Sequence, residues 1–291
     1  MKPLLITIYV PLCGEHCTFC NRLTTPSTMR MVTDYTHALL TEIASAAELC
    51  EGYSVETIRF TGGTPLLLGG TNLATIVFAL KKHFCVSPEV EITLETVTDK
   101  IDEHNFRLFE RMGVTALEFF VPTLVSAEHA ALEAPGTLGH LSAHNVMRKF
   151  YGPETLGLHL LYGFAGQTAQ TWQRTLDKAC SYDPAYVRLE QVANMPDAEA
   201  DALAKQAATT LAAAGLTEQD KTGQLFAKPG KMPHWVTLAQ TGADQLGLGA
   251  GMVSKVDELV YRTTGDVARY VADVADPSRV IVEVGQAPSL Y

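Results

Sequence analysis

Runs of β-branched and aromatic residues alternate with amphipathic segments along most of this 291-residue chain, and that alternation limits the fold more than any single motif does. Strand-like runs occur at LLITIYV (residues 4–10), VETIRFT (55–61), EVEITLET (89–96), TALEFFV (115–121), GLHLLYG (157–163) and AYVRLEQV (185–192). The intervening segments TDYTHALLTEIASAAELC, NLATIVFALKKHF, EHNFRLFERMG and TAQTWQRTLDKACSY place apolar residues every three or four positions, the helical period. Strand followed by helix, six times over, predicts an α/β fold of parallel βα units. The run DAEADALAKQAATTLAAAGL (197–216) predicts one more helix, capped at Asp197 after Pro196 and stopped at Gly215. Beyond it the rhythm turns glycine- and proline-rich, so the reading divides the chain into a core over 1–216 and a C-terminal extension over 217–291.

Composition narrows the partners. A formal charge of -10 with no run of lysine or arginine removes the electrostatic footprint that nucleic acid or anionic lipid requires. No apolar stretch reaches the roughly twenty residues of a membrane span, and the N-terminal MKPLLITIYVPLC turns polar too soon for a signal peptide. The expectation is a cytoplasmic protein. Cys50, Cys85 and Cys180 lie in apolar helical or strand-flanking contexts, where reduced cysteine acts as a small hydrophobe.

The other three cysteines are different. CGEHCTFC (residues 13–20) puts Cys13, Cys17 and Cys20 into eight residues directly after the first strand. A disulfide is disfavoured by compartment and by the odd count. Zinc usually takes four protein ligands and needs one more, with His16 nearest. An iron–sulfur cluster on thiolates fits better, and three thiolates leave one iron open for another ligand. In parallel α/β folds function gathers on the loops after the strands' carboxyl ends. The cysteine loop follows strand one, TGGTP strand two and GFAG strand five, while Glu95 ends strand three.

At these residues the chain resembles the radical S-adenosylmethionine (SAM) enzymes, whose cluster loop is CxxxCxxC with an aromatic before the last cysteine, here Phe19. It is most similar to the branch of oxygen-independent coproporphyrinogen III oxidases and related heme chaperones. VPLCGEHCTFC resembles that branch's strand-one motif, FTGGTPLLL its GGGTP loop, LETVTD its ribose-side glutamate segment and HLLYGFAGQTAQTW its "DLIYGLPGQT" segment. FAKPGKMPHW followed by LGLGAGMVS resembles its late signature. The matches run in order from about residue 4 to 265.

The resemblance implies a partial (β/α)6 TIM-like barrel in which Cys13, Cys17 and Cys20 hold a [4Fe-4S] cluster whose fourth iron chelates SAM. One electron then cleaves the sulfonium, and the 5'-deoxyadenosyl radical takes hydrogen from substrate. It also implies SAM contacts by Gly62, Gly63, Thr64 and Pro65 at the methionine end. Glu95 would sit at the ribose, Phe19 and Leu161 on the adenine, and Gly249, in the 247–251 turn, near the adenosine. An external one-electron donor of flavodoxin or ferredoxin type is implied as well.

Departures from the family pattern fall where substrate would sit. The strand-one tyrosine and histidine are Thr7 and Tyr9, Asn21 replaces a cysteine after the cluster loop, and "RLSLGVQSF" has become ALEFFVPTL with Ala116 and Pro122. The strand-five aspartate is His159, and the arginine that clamps the SAM carboxylate is Ala134, with no arginine between Arg111 and Arg148. The heme motif HNxxY reads HWVTL from His234, and the chain ends soon after VIVEVGQAPSLY, short of the helical C-terminal domain usual in both groups. The expectation is therefore a radical SAM enzyme acting on a small-molecule or tetrapyrrole-like substrate other than coproporphyrinogen. Tyr9, His159 and Arg188 are its candidate catalytic or clamping residues, and Arg59 is a second candidate for the carboxylate. Open alternatives are a coproporphyrinogen oxidase-like enzyme, a class C-type methyltransferase using a second SAM, and a heme-binding chaperone-like protein without turnover.

Overall fold

The computed structural model describes the chain except residues 15, 16, 18, 99, 100, 193, 194, 221 and 286–291. In chain order its N-terminal elements are β1 (Lys2–Val10), β2 (Leu12–Cys13), β3 (Thr25–Pro26), α1 (Met29–Ala46), β4 (Tyr53–Gly62), α2 (Gly70–His83) and β5 (Val86–Thr96). Next come α3 (Glu103–Met112), β6 (Ala116–Phe120), α4 (Ser126–Ala131), α5 (Leu138–Tyr151), β7 (Thr155–Tyr162), α6 (Ala169–Ser181), β8 (Tyr186–Gln191) and α7 (Asp197–Ala213). The remainder are β9 (Thr217–Glu218), β10 (Leu225–Ala227), α8 (His234–Gln240), β11 (Asp244–Leu248), β12 (Val253–Val256), β13 (Leu259–Thr263), α9 (Val267–Asp273), α10 (Pro277–Val280) and β14 (Ile281–Val284).

These elements form two compact units. The first contains Met1–Glu15, Arg22–Glu95 and His234–Tyr291. Its centre is β1, where Leu4, Ile6, Ile8 and Val10, on one face of the strand, are fully buried, while Thr7 and Tyr9 on the other face are half-buried. β1 pairs in parallel with β4 on one side and β11 on the other, and β4 pairs in parallel with β5. β11, β12, β13 and β14 continue as antiparallel neighbours. Helix α1 turns Tyr35, Leu39 and Ile43 inward, the stripe that its apolar spacing predicts.

The second unit contains His16–Asn21 and Thr96–Pro233. β6, β7 and β8 are parallel, and β10 returns antiparallel between β8 and β9. Trp172 of α6 is fully buried and donates its indole N–H to the Leu203 carbonyl of α7 at 3.0 Å. All six predicted strands form in parallel sets, so the fold is α/β as the alternation requires. At α7 the start differs by one residue: Pro196 occupies the N-cap position without a side-chain cap, and Asp197 is the first helical residue. There its charge favours the positive end of the helix dipole. Residues after 216 serve both units, β9 and β10 in the second and β11 to β14 in the first.

Candidate functional site

In the first unit the root of the cysteine loop is fixed by main-chain bonds. β2 pairs with β3, Thr25 N donates to Pro11 O at 2.8 Å, and Ser27 N to Cys13 O at 3.1 Å. From the end of β4, Gly63 N donates to Val10 O at 2.8 Å and Thr64 N to Leu12 O at 2.7 Å. A Cβ on Gly62 would stand 2.6 Å from Val10 O, with φ at +118°, and one on Gly63 would stand 2.4 Å from Leu12 O. Close approach of two backbones thus accounts for both glycines, and the N–H groups of Gly63 and Thr64 are engaged by the chain itself. Pro65 opens a 3-10 turn over Pro65–Leu68.

Cys13 is half-buried, Cys17 buried and Cys20 half-buried, and none of them is in a disulfide. Cys17 and Cys20, in the second unit, flank a turn in which Cys20 N donates to Cys17 O at 3.1 Å. His16, the nearest residue for a zinc reading, lies outside the described residues. Burial pushes the Cys50 thiol up to about 11 and raises that of Cys180, as inert apolar cysteines should behave. Cys85 is instead exposed, at the turn from α2 into β5.

Glu95 is 2% exposed at the end of β5 and collects three donors. Arg22 Nη1 reaches Oε1 at 2.5 Å, Thr61 Oγ1 reaches Oε2 at 2.6 Å, and Arg59 Nη2 reaches Oε2 at 3.1 Å. Arg22 Nη1 also donates to Gly62 O at 2.7 Å, and the Arg59 guanidinium lies 4.1 Å from the Trp235 ring centre. The guanidinium groups of Arg22 and Arg59 thus converge on the one carboxylate of Glu95. Arg22, two residues past the last cysteine, was not singled out from the sequence, because its partner is 73 residues away. Near it, Tyr9 donates its hydroxyl to Leu23 O at 2.9 Å. Gly249 has φ +109°, and a Cβ there would meet Tyr9 O at 2.6 Å. Its N–H goes to Glu42 at 2.8 Å and its carbonyl accepts from Thr263 at 2.6 Å. At His234 the backbone N–H is held by both carboxylate oxygens of Glu91, each at 3.1 Å.

In the second unit, register explains the site. Ala116, Glu118 and Phe120 share one face of β6, Gly157, His159 and Leu161 one face of β7, and Tyr186, Arg188 and Glu190 one face of β8. Pairing aligns Glu118 with Gly157 and Gly157 with Tyr186, then Phe120 with His159 and His159 with Arg188. Gly157 is the gap in the first row: a Cβ there would fall 2.2 Å from the Tyr186 ring. Across that gap Tyr186 donates to Glu118 Oε2 at 3.0 Å.

Arg188 completes the network. Its Nε and Nη2 reach Glu118 Oε1 at 3.0 and 2.6 Å, and Nη2 lies 2.8 Å from His159 Nδ1. A guanidinium only donates, so Nδ1 accepts and the imidazole proton resides on Nε2, 2.9 Å from Glu190 Oε2. Glu118 and His159 are fully buried, and the carboxylate balances Arg188. Phe120 packs edge-on to His159 at 5.0 Å. Phe19 and Leu161 join one apolar cluster with Phe120, Leu132 and Phe164, the Phe19 and Phe120 ring centres 6.1 Å apart.

Comparison with known proteins gives five matches. The sequence profile of the radical SAM superfamily matches residues 7–179. The heme chaperone HemW of Escherichia coli (strain K12) is 24% identical over 283 residues, covering 91% of this chain and 74% of that protein. HemW of Mycobacterium tuberculosis (strain CDC 1551 / Oshkosh) is 27% identical over 181 residues, 61% of this chain, and this chain covers 46% of its length. The oxygen-independent coproporphyrinogen III oxidase of Cereibacter sphaeroides (strain ATCC 17025 / ATH 2.4.3) is 22% identical over 302 residues, with coverage of 94% and 67%. Among solved structures, coproporphyrinogen III oxidase (HemN) from Escherichia coli superposes with a TM-score of 0.83 at 19% identity, covering 96% of this chain and 71% of that one. The chain spans about half the length of several curated relatives it matches, and the fold of HemN extends over nearly all of it.

Proposed function

Because this chain belongs to the radical SAM superfamily, we propose that it is an enzyme of the coproporphyrinogen oxidase and heme chaperone branch that reductively cleaves SAM. The observation that carries the reading is the family match across residues 7–179, with three cysteines at CxxxCxxC spacing in its first loop and none of them in a disulfide. Such a donor set fits a [4Fe-4S] cluster held at three irons, with Cys13, Cys17 and Cys20 as its ligands. When bound, cluster and SAM supply a 5'-deoxyadenosyl radical for hydrogen abstraction.

The chain's own residues supply the rest. Arg22 and Arg59, which converge at the end of β5, take the place of the absent arginine and hold the SAM carboxylate, because a desolvated anion needs a partner. Phe19 and Leu161 offer an apolar surface to the adenine. His159, whose Nδ1 accepts from Arg188, and the Tyr9 hydroxyl are proton donors toward substrate. We assign Arg188 to orienting His159. The substrate class is a small molecule of tetrapyrrole-like kind, by analogy with relatives named for coproporphyrinogen and heme, and a flavodoxin- or ferredoxin-type protein supplies the electron. The cytoplasm supplies the reducing surroundings that the thiols need.

The test is anaerobic reconstitution, with iron and sulfide quantified before and after SAM addition, followed by dithionite reduction. Near four irons and four sulfides per chain, with release of 5'-deoxyadenosine, is expected. Zinc, or no metal, overturns the reading. Several relatives are named heme chaperones, so the same assay is run with heme: an intact cluster and bound heme without 5'-deoxyadenosine selects a carrier. Release of S-adenosylhomocysteine alongside 5'-deoxyadenosine selects a methyltransferase with a second SAM.

A further inference from the structure

A half-open cavity of about 310 Å³ lies in the first unit, lined by residues of α1, β13, α10 and β14 and by Val274 just after α9. Ala46, Leu49, Leu259, Val274, Val280 and Ile281 make its walls predominantly apolar. Its size is at the lower end of small-molecule sites, which are mostly apolar with a few placed polar groups. Ser45 and Thr263 also line it, but both hydroxyls are satisfied within the chain, by Glu42 O at 3.1 Å and Gly249 O at 2.6 Å.

Glu42 is the exception. It is 7% exposed and contributes to the wall. One carboxyl oxygen, Oε2, accepts from Gly249 N at 2.8 Å and Tyr270 Oη at 2.7 Å. The other, Oε1, has no donor among the described residues. Among the described residues, no lysine, arginine or histidine lines the cavity. The titratable groups facing Glu42 are the phenols of Tyr35, Tyr261 and Tyr270, and Cys50 faces Tyr261. All of them stay neutral, because burial raises each. Oε1 is not sealed off from solvent; it opens onto the cavity, where a donor from outside the chain can meet it.

We propose that this cavity binds a small ligand with an apolar body and a primary ammonium head, the head donating to Glu42 Oε1 and the body filling the space between α1 and β13. An ammonium suits the site because it donates, carries the charge opposite to the carboxylate and finds no competing cation on the wall; such charge-assisted bonds are the stronger class. A carboxylate ligand is rejected by the same carboxyl group. Occupancy is sensed at the glycine turn that follows β11, since Glu42 holds the Gly249 N–H with its other oxygen.

The probes are n-hexylamine, 1-hexanol and hexanoate, titrated calorimetrically into the full chain at pH 8, with the Gly249 amide resonance followed in parallel. Hexylamine is expected to bind and to shift Gly249, hexanol to bind about 10-fold more weakly, and hexanoate not to bind. Glu42→Gln keeps an acceptor for Gly249 and Tyr270 but removes the charge, and should reduce hexylamine to the affinity of hexanol. Ala46→Leu fills the wall without touching the carboxyl group, and should abolish binding of both. The proposal is overturned if hexylamine fails to bind, if it binds no better than hexanol, or if its affinity survives both substitutions.

Discussion

Glu118→Leu tests whether the buried network on β6, β7 and β8 is held together by its ion pair. The substitution removes an acceptor that receives Arg188 twice and Tyr186 once. It leaves a guanidinium 22% exposed and a phenol hydroxyl in a fully buried residue. Breaking a buried pair from one side costs about 3–5 kcal/mol, and the orphaned hydroxyl falls within that range. Arg188→Leu should cost a similar amount, by taking the guanidinium from the buried Glu118 carboxylate. The double variant should cost far less than the sum, about 0–2 kcal/mol, because two apolar groups replace a pair that was expensive to desolvate. The assay is urea unfolding followed by Trp172 fluorescence in a Trp235→Phe background, where Trp172 alone reports, from the second unit. Additive single costs, or singles below about 1 kcal/mol, would refute the coupling and return Arg188 to the list of groups available to an outside carboxylate.

Three more outcomes are expected. Arg22→Leu should weaken SAM binding by about 10-fold, measured calorimetrically on the reconstituted protein, and unchanged affinity would remove Arg22 from the carboxylate site. Burial raises the Glu42 carboxyl from 4.5 to about 7, so the folded state holds a proton that the unfolded state has released. Stability should therefore fall as pH rises from about 5 to 7.5, by up to about 3 kcal/mol, and Glu42→Gln should flatten that slope in urea melts. Gly62→Ala forces a Cβ against Val10 O at positive φ, which should cost about 2–5 kcal/mol and lower iron content after reconstitution; normal stability would mean that the two backbones can separate.

The six parallel strands were legible because each is a short run rich in β-branched, aromatic or leucine residues set between helical-period segments, and their bounds fall within three residues of those read. Helix α5 (Leu138–Tyr151) was not read, since His140, Ser142, His144 and Asn145 interrupt its apolar spacing. The antiparallel strands β12 to β14 are four or five residues long, too short for a period to emerge among glycines and prolines. The cysteines and glycines of the site were visible as local spacing. The Arg22–Glu95 contact was not, because pairing across 73 residues leaves no local trace. The Glu118 network did leave one. A lone glutamate in ALEFF, a strand otherwise apolar on both sides, signals a buried charge with a partner, and YVRLE held the arginine to match it.

The main-chain bonds that join residues 10–13 to 25–27 and 63–64 bear on how such a protein can diversify. Anchorage of this sort is indifferent to side-chain identity, so substitutions within the cysteine loop can retune what is carried while its mooring stays put. Only the glycine pair beneath it and the three cysteines have no latitude, and laboratory evolution toward new substrates should find variation everywhere in that neighbourhood except at those five positions.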